Sequence, residues 1–374
     1  VDVNGVQFSH LTREPVLAYT QPDYPHVEAL DPSLDELLTG FQGHGPAGVY
    51  VASADNAQQK ITVNVNDDHE VSFYLLDLQH KTTSLLGKSY SHDFADALAP
   101  VKPIRFQARD GLTLNGYLTL PLTARRPLPM VLLVHGGPFA RDIWKFNRQV
   151  QFLANRGYAV LQVNYRGSSG YGRAFLDAIN GEVAAKMQDD LLDGVNWAIR
   201  QGIADPQHIA IMGRSFGGYA TLVGLTKTPE TFACGVDIFG PSDLESLSRN
   251  FPPYWEPYMY RWFKAVGNPD NAADRQAMHD KSPLYFADRV QRPLLIVQGA
   301  NDVRVRQQQG ERMVEALHVA GKPVEYLLLS GEGHRIRHWK SRLKLYRKVE
   351  DFLAACLGGR SSGFDYYELG AWMF

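Results

Sequence analysis

Cysteine is scarce in this chain: Cys234 and Cys356 are the only two among 374 residues. Two cysteines cannot build a disulfide framework, so the fold must rest on a packed apolar core, with both expected to sit there as small hydrophobic residues. An excess of one charge is also missing. The 38 Lys and Arg nearly balance the 40 Asp and Glu, for a formal net charge of -2. That balance points to no nucleic-acid partner and no anionic-membrane partner. No apolar run approaches the roughly 18 residues needed to cross a bilayer. Residues 1–10 hold neither a basic stretch nor an apolar one, so no secretory leader is visible. The chain opens on Val1 rather than Met. A processed or truncated product is therefore expected, soluble and cytoplasmic, or periplasmic or secreted if a leader has been removed.

What is present falls into two textures. Residues 1–100 hold short alternating segments at 16–20, 48–52, 60–65, 71–78 and 81–86, the last two reading as a hairpin around Gln79-His80. One helix is expected among them, with Asp31 as N-cap, Pro32 at the first position, and Leu34, Leu37 and Leu38 on one face. From residue 101 the pattern becomes strand and helix in alternation. Strands are expected at 106–108, 112–119, 130–135, 159–164, 208–212, 233–239, 294–298 and 324–329. Several are continuous Val/Ile/Leu runs, as parallel strands buried on both faces require. Helices are expected at 186–200, with Leu191, Leu192, Val195 and Ile199 as the apolar stripe, and at 308–319 and 340–356. The reading is an all-β segment at 1–100, then an α/β domain at 101–359 built on a mostly parallel, doubly wound sheet. A tail at 360–374 carries Phe364, Tyr366, Tyr367, Trp372 and Phe374, and is expected to dock on this chain or a partner.

The chemistry gathers around one serine. Gly213-Arg214-Ser215-Phe216-Gly217-Gly218 follows the apolar run 208–212, giving strand, sharp turn and helix start in the G-x-S-x-G pattern of a nucleophile elbow. A serine hydroxyl needs a base, the base needs an orienting acid, and the developing oxyanion needs donors. In α/β-hydrolases acid and base follow the serine in that order. Asp302, on the loop after strand 294–298, is the expected acid, with Asp243 as the runner-up. His334, on the Gly-rich loop after the last strand, is the expected base. His338, four residues on, would suit a metal only with a third ligand that the sequence does not place, so no metal and no cofactor is expected. The amide of Phe216 and that of Gly137, in His135-Gly136-Gly137-Pro138, are the expected oxyanion donors.

These runs resemble one family. Arg109-Asp110-Gly111, Gly116-Tyr117-Leu118, His135-Gly136-Gly137-Pro138, Asn164-Tyr165-Arg166-Gly167-Ser168-Ser169-Gly170-Tyr171-Gly172, the Ser215 elbow through Tyr219, Gly299-Ala300-Asn301-Asp302-Val303-Arg304-Val305 and Glu332-Gly333-His334 occur in the order seen in prolyl oligopeptidase family serine peptidases. The acylaminoacyl-peptidase-like branch is the most similar. The resemblance covers about residues 101–357. It implies an α/β-hydrolase domain with Ser215, Asp302 and His334 as triad, and an apolar pocket near Phe139, Leu244 or Leu247. It implies hydrolysis of short or N-acylated peptides, with a carboxylesterase acting on small acyl esters as the alternative. Family members also place a β-propeller ahead of this domain. Residues 1–100 have room for about two blades at most, so a partial propeller is expected. Its remainder would be absent, rudimentary or a separate chain, and the partners expected are a short peptide or acyl substrate and either that remainder or another copy of this chain.

Overall fold

The structure is a computed structural model, and it describes residues 2–35, 38, 41, 46–123 and 125–363. The tail aromatics from Phe364 onward, and Leu37 of the expected first helix, lie outside the described residues. Fifteen strands among these residues form three sheets. The first is an antiparallel sheet of β1 (Val3–Phe8), β2 (Pro15–Thr20) and β3 (His26–Ala29). The second is an antiparallel meander of β4 (Gly48–Ala54), β5 (Lys60–Asn66), β6 (Val71–Asp77) and β7 (Thr82–Lys88). Between them Asp31 caps a short 3-10 turn, Pro32–Leu34, by accepting from the Ser33 amide at 2.9 Å.

The third sheet positions the site. It holds β8 (Val101–Gln107), β9 (Thr113–Thr119), β10 (Leu128–Val134), β11 (Ala159–Asn164), β12 (Ala204–Arg214), β13 (Cys234–Ile238), β14 (Leu294–Gly299) and β15 (Val324–Leu329). Their order across the sheet is β15-β14-β13-β12-β10-β11-β9-β8. All neighbours from β11 to β15 pair in parallel, and β8 and β9 run antiparallel at one edge.

Alternation along these strands serves two cores. Met130, Leu132 and Val134 of β10 face one apolar cluster, while Val131 and Leu133 face the other. Ile209 and Ile211 against Ala210 and Met212 in β12, and Leu294 and Ile296 against Leu295 and Val297 in β14, divide the same way. A strand whose two faces are both covered must be apolar throughout, which is why these segments read as continuous runs. The covering helices include α1 (Arg148–Asn155), α2 (Lys186–Arg200), α3 (Phe216–Lys227), α4 (Leu244–Arg249), α5 (Glu256–Ala265), α6 (Gln307–Val319) and α7 (Trp339–Leu357). Met187, Leu191 and Val195 of α2 enter the first cluster, and Leu345, Val349, Phe352 and Leu353 of α7 enter the second.

The expectation for the cysteines is corrected. Cys234, at the start of β13, and Cys356, near the end of α7, form a disulfide across 122 residues of sequence. A pair is too few for a framework but sufficient for one staple, and the packing of α7 on β13 brings the two thiols together.

Candidate active site

The parallel strands end at a common edge, and the loops leaving β10, β12, β14 and β15 carry the groups that converge there. At the end of β12 the chain turns sharply into α3. Ser215 occupies the turn with φ 58° and ψ -121°, a conformation that costs a non-glycine residue on the order of 1–3 kcal/mol. It is held there by its amide, which donates to the Ile238 carbonyl at 2.8 Å. The crossing is tight. A Cβ on Gly217 would lie 2.1 Å from the Val134 carbonyl oxygen, so no larger residue fits beneath the turn.

The loops after β14 and β15 are tied to each other. The Ala300 amide donates to Leu329 O at 3.1 Å and the Asn301 amide to Glu332 O at 2.8 Å. Asp302 and His334 are thereby brought into register. The Asp302 carboxylate is buried and accepts three hydrogen bonds: from the Arg304 and Val305 amides on Oδ1 at 2.8 and 3.0 Å, and from His334 Nδ1 on Oδ2 at 2.7 Å. With Nδ1–H committed to the carboxylate, Nε2 is the free acceptor. It lies 3.0 Å from Ser215 Oγ. Glu332 keeps the His334 loop closed by accepting from the Arg337 and His338 amides and from His338 Nδ1. Burial opposes its charge, but these bonds and the Ser341 hydroxyl outweigh it and hold the carboxyl below its usual range. His338 is thus turned toward Glu332, away from any pairing with His334. Asp243 is also engaged elsewhere. It caps α4 through the Ser246 amide and pairs with Arg312 at 2.8 Å.

The loop after β10 lies against the elbow. A Cβ on Gly136 would meet Ser215 Cβ at 3.3 Å, and Gly137 takes φ 138°. Phe216 begins α3, where a first-turn amide has no carbonyl of its own helix to donate to. The loop is braced from behind. His135 Nδ1 is 2.8 Å from Gly136 O and Nε2 is 3.0 Å from Ser168 Oγ, and the ring stacks on Tyr165 with centroids 4.3 Å apart. Desolvation pushes its pKa down to about 4, so the ring is neutral near pH 7. Farther back, Arg166 is buried between Asp190 (2.7 Å) and Asp110 (2.9 Å). Arg109 pairs with Asp189 and Asp193. The Arg109-Asp110 and Arg166 runs therefore anchor the scaffold and do not touch Ser215.

A cleft of about 610 Å³ opens beside Gly137, walled by Phe139, Ala140, Phe251, Trp255, Tyr258 and Trp262. Phe139, expected near an apolar pocket, lines this cleft, with Arg261 stacked over its ring at 5.4 Å. The other two expected pocket residues do not line this cleft. Leu244 is fully buried in the core, because α4 turns it inward, and Leu247 borders a separate hollow with Arg304. The aromatic wall at 251–262 was missed in the sequence. Its signal was the density of Phe, Trp and Tyr in that stretch, which carries no helical stripe.

Comparison with known proteins gives the family. The model of the prolyl oligopeptidase family, peptidase S9, matches residues 144–360. Dipeptidyl aminopeptidase BIII of Pseudoxanthomonas mexicana is 42% identical over 89% of this chain and 50% of its own length. Dipeptidyl peptidase family member 6 of Caenorhabditis elegans is 45% identical over 88% of this chain and 48% of its own. Among solved structures, a puromycin-hydrolyzing peptidase of Mycobacterium tuberculosis superposes with a TM-score of 0.80 at 26% identity, covering 93% of this chain and 53% of that one. The chain spans about half the length of the curated relatives it matches. With a family model matched over more than half its residues, this chain belongs to the prolyl oligopeptidase family of serine peptidases.

Proposed function

We propose that this chain carries the hydrolytic site of a serine peptidase acting on short peptides, N-acylated ones included, through an acyl-enzyme. The observation that carries the reading is the relay Asp302–His334–Ser215, at 2.7 and 3.0 Å, beside an apolar cleft. The names of the two relatives, both dipeptidyl peptidases, support a peptide substrate.

In this mechanism His334 Nε2 takes the hydroxyl proton as Ser215 Oγ attacks the scissile carbonyl carbon. Asp302 fixes the tautomer and offsets the charge of the imidazolium. The Gly137 and Phe216 amides donate to the tetrahedral oxyanion. His334 then gives its proton to the leaving nitrogen as the C–N bond breaks. Water repeats the sequence on the ester and frees Ser215. The aromatic cleft, on the Gly137 side, holds the apolar part of the acyl half.

Hydrolysis of dipeptidyl and acylaminoacyl anilides tests the reading. Turnover of either class, lost in Ser215→Ala, is the expected result. Cleavage of p-nitrophenyl esters with none of the anilides would favour an esterase and end the peptidase reading.

A further inference from the structure

A second recess lies against the elbow, apart from the apolar cleft. Its volume is about 120 Å³; Gln149, Phe152, Met212, Arg214, Arg342 and Tyr346 contribute to its wall, and no acidic residue does. Arg214 immediately precedes Ser215. Its guanidinium lies 5.2 Å from the centroid of the Phe239 ring, and that ring is 6.0 Å from the ring of His334.

The chain supplies carboxylates to arginines elsewhere. Arg109, Arg156, Arg166 and Arg312 each pair with at least one. Arg214 and Arg342 have no such partner among the described residues. The surrounding sequence deepens the imbalance: between Glu332 and Glu350 there are seven Lys and Arg and no Asp or Glu. Two arginines lining one recess, neither paired with a carboxylate among the described residues, make a receptor for a planar anion.

Its side of the nucleophile gives it a role. The leaving group collects its proton from His334, so it departs on the His334 side of Ser215. Phe239 is next to His334, and the Arg214 guanidinium lies over the Phe239 ring. The acyl half occupies the opposite side, against Gly137 and the aromatic cleft.

We infer that the Arg214–Arg342 recess is a subsite for a carboxylate on the leaving-group half of the substrate. The carboxylate is either the C-terminal group of a short peptide or an acidic side chain just past the scissile bond. This assignment rests on the peptidase reading above.

Steady-state kinetics on two pairs of peptides tests it. Each pair is identical up to the scissile bond. One pair ends shortly after that bond in a free carboxylate or a carboxamide. The other has an amidated end and carries Asp or Asn as the first residue past the bond. The wild-type protein should favour the anionic member of at least one pair by about 5-fold or more in kcat/KM. Arg342→Gln and Arg214→Gln should each bring that ratio toward one, and the pair that responds identifies the source of the carboxylate. Ratios are taken within each variant, so a general loss of activity cancels, and fluorophosphonate labelling of Ser215 reports that the site has folded. A ratio of one in both pairs, or a ratio that survives both substitutions, overturns the subsite while anilide turnover leaves the peptidase reading standing. A protein that labels at Ser215 but cleaves neither peptides nor anilides overturns both.

Discussion

The eight-stranded sheet and the two small sheets ahead of it use the same apolar residue types and bury them differently. Every residue of β11 and of β14 is buried. In β1 and β7 most residues are exposed, and Val3, Phe8, Leu85 and Leu86 each keep more than half their surface in solvent. Contact between the two regions includes directional bonds: Tyr117 Oη to Asp23 O at 2.8 Å, the Val101 amide to Asp68 Oδ2 at 2.7 Å, and Gln21 Nε2 to Trp144 O at 3.1 Å. The difference teaches what holds the elbow in place. A serine at φ 58° persists only where its surroundings over-determine it. Covered on both faces, β10 and β12 provide that around Ser215; the open sheets keep their own positive-φ residues, Arg13, Gln58 and Lys81, to the connections between strands.

If that division is right, substitutions at the sheet edge should alter chemistry and spare stability. Ser215→Ala should lower kcat by on the order of 10⁶-fold, with the urea midpoint unchanged. Asp302→Asn should cost about 10⁴-fold in kcat through the wrong His334 tautomer. A comparable drop in unfolding free energy for Ser215→Ala would erase the distinction.

Substitutions inside the two cores should do the reverse. Cys356→Ser opens the staple between β13 and α7 and should cost roughly 2–5 kcal/mol of stability, measured by denaturant unfolding, while the folded protein keeps its kcat.

Acid should weaken the His135 brace behind the elbow. The unfolded chain binds a proton at His135 near the ordinary value, whereas the folded chain resists it down to a pKa of about 4. Its contribution is therefore complete at neutral pH and is lost as pH falls from about 6.5 toward 4, at most on the order of 3 kcal/mol. Unfolding curves of wild type and His135→Gln between these limits should converge in slope only if another group is responsible.

The smallest effect belongs to the junction. Tyr117→Phe removes one bond to Asp23 and should cost about 1 kcal/mol, read as earlier proteolysis in residues 2–100 with kcat changed less than about twofold.

Legibility in the sequence followed the same line. β11, β15 and α2 were placed to the residue, because continuous apolar runs and a clean 3.6-residue stripe leave little choice of partner face. β1 and β3 were missed: exposed edge strands carry weak alternation. α5 was missed because Pro257 and its aromatics obscure the stripe. The positions of Ser215, Asp302 and His334 could be anticipated because each sits just past a strand in an order that loops impose. The Cys234–Cys356 bond and the Arg214–Arg342 recess could not be, since each joins residues more than 100 positions apart that meet only after α7 packs on the sheet.

The central claim is that Ser215 is made nucleophilic by His334. Fluorophosphonate labelling, followed by intact mass and peptide mapping, tests it most directly. The account predicts one adduct per chain, on Ser215, forming at least 10³-fold more slowly, by an order-of-magnitude estimate, in His334→Ala. An adduct on another residue, or an equal rate in that variant, would contradict it.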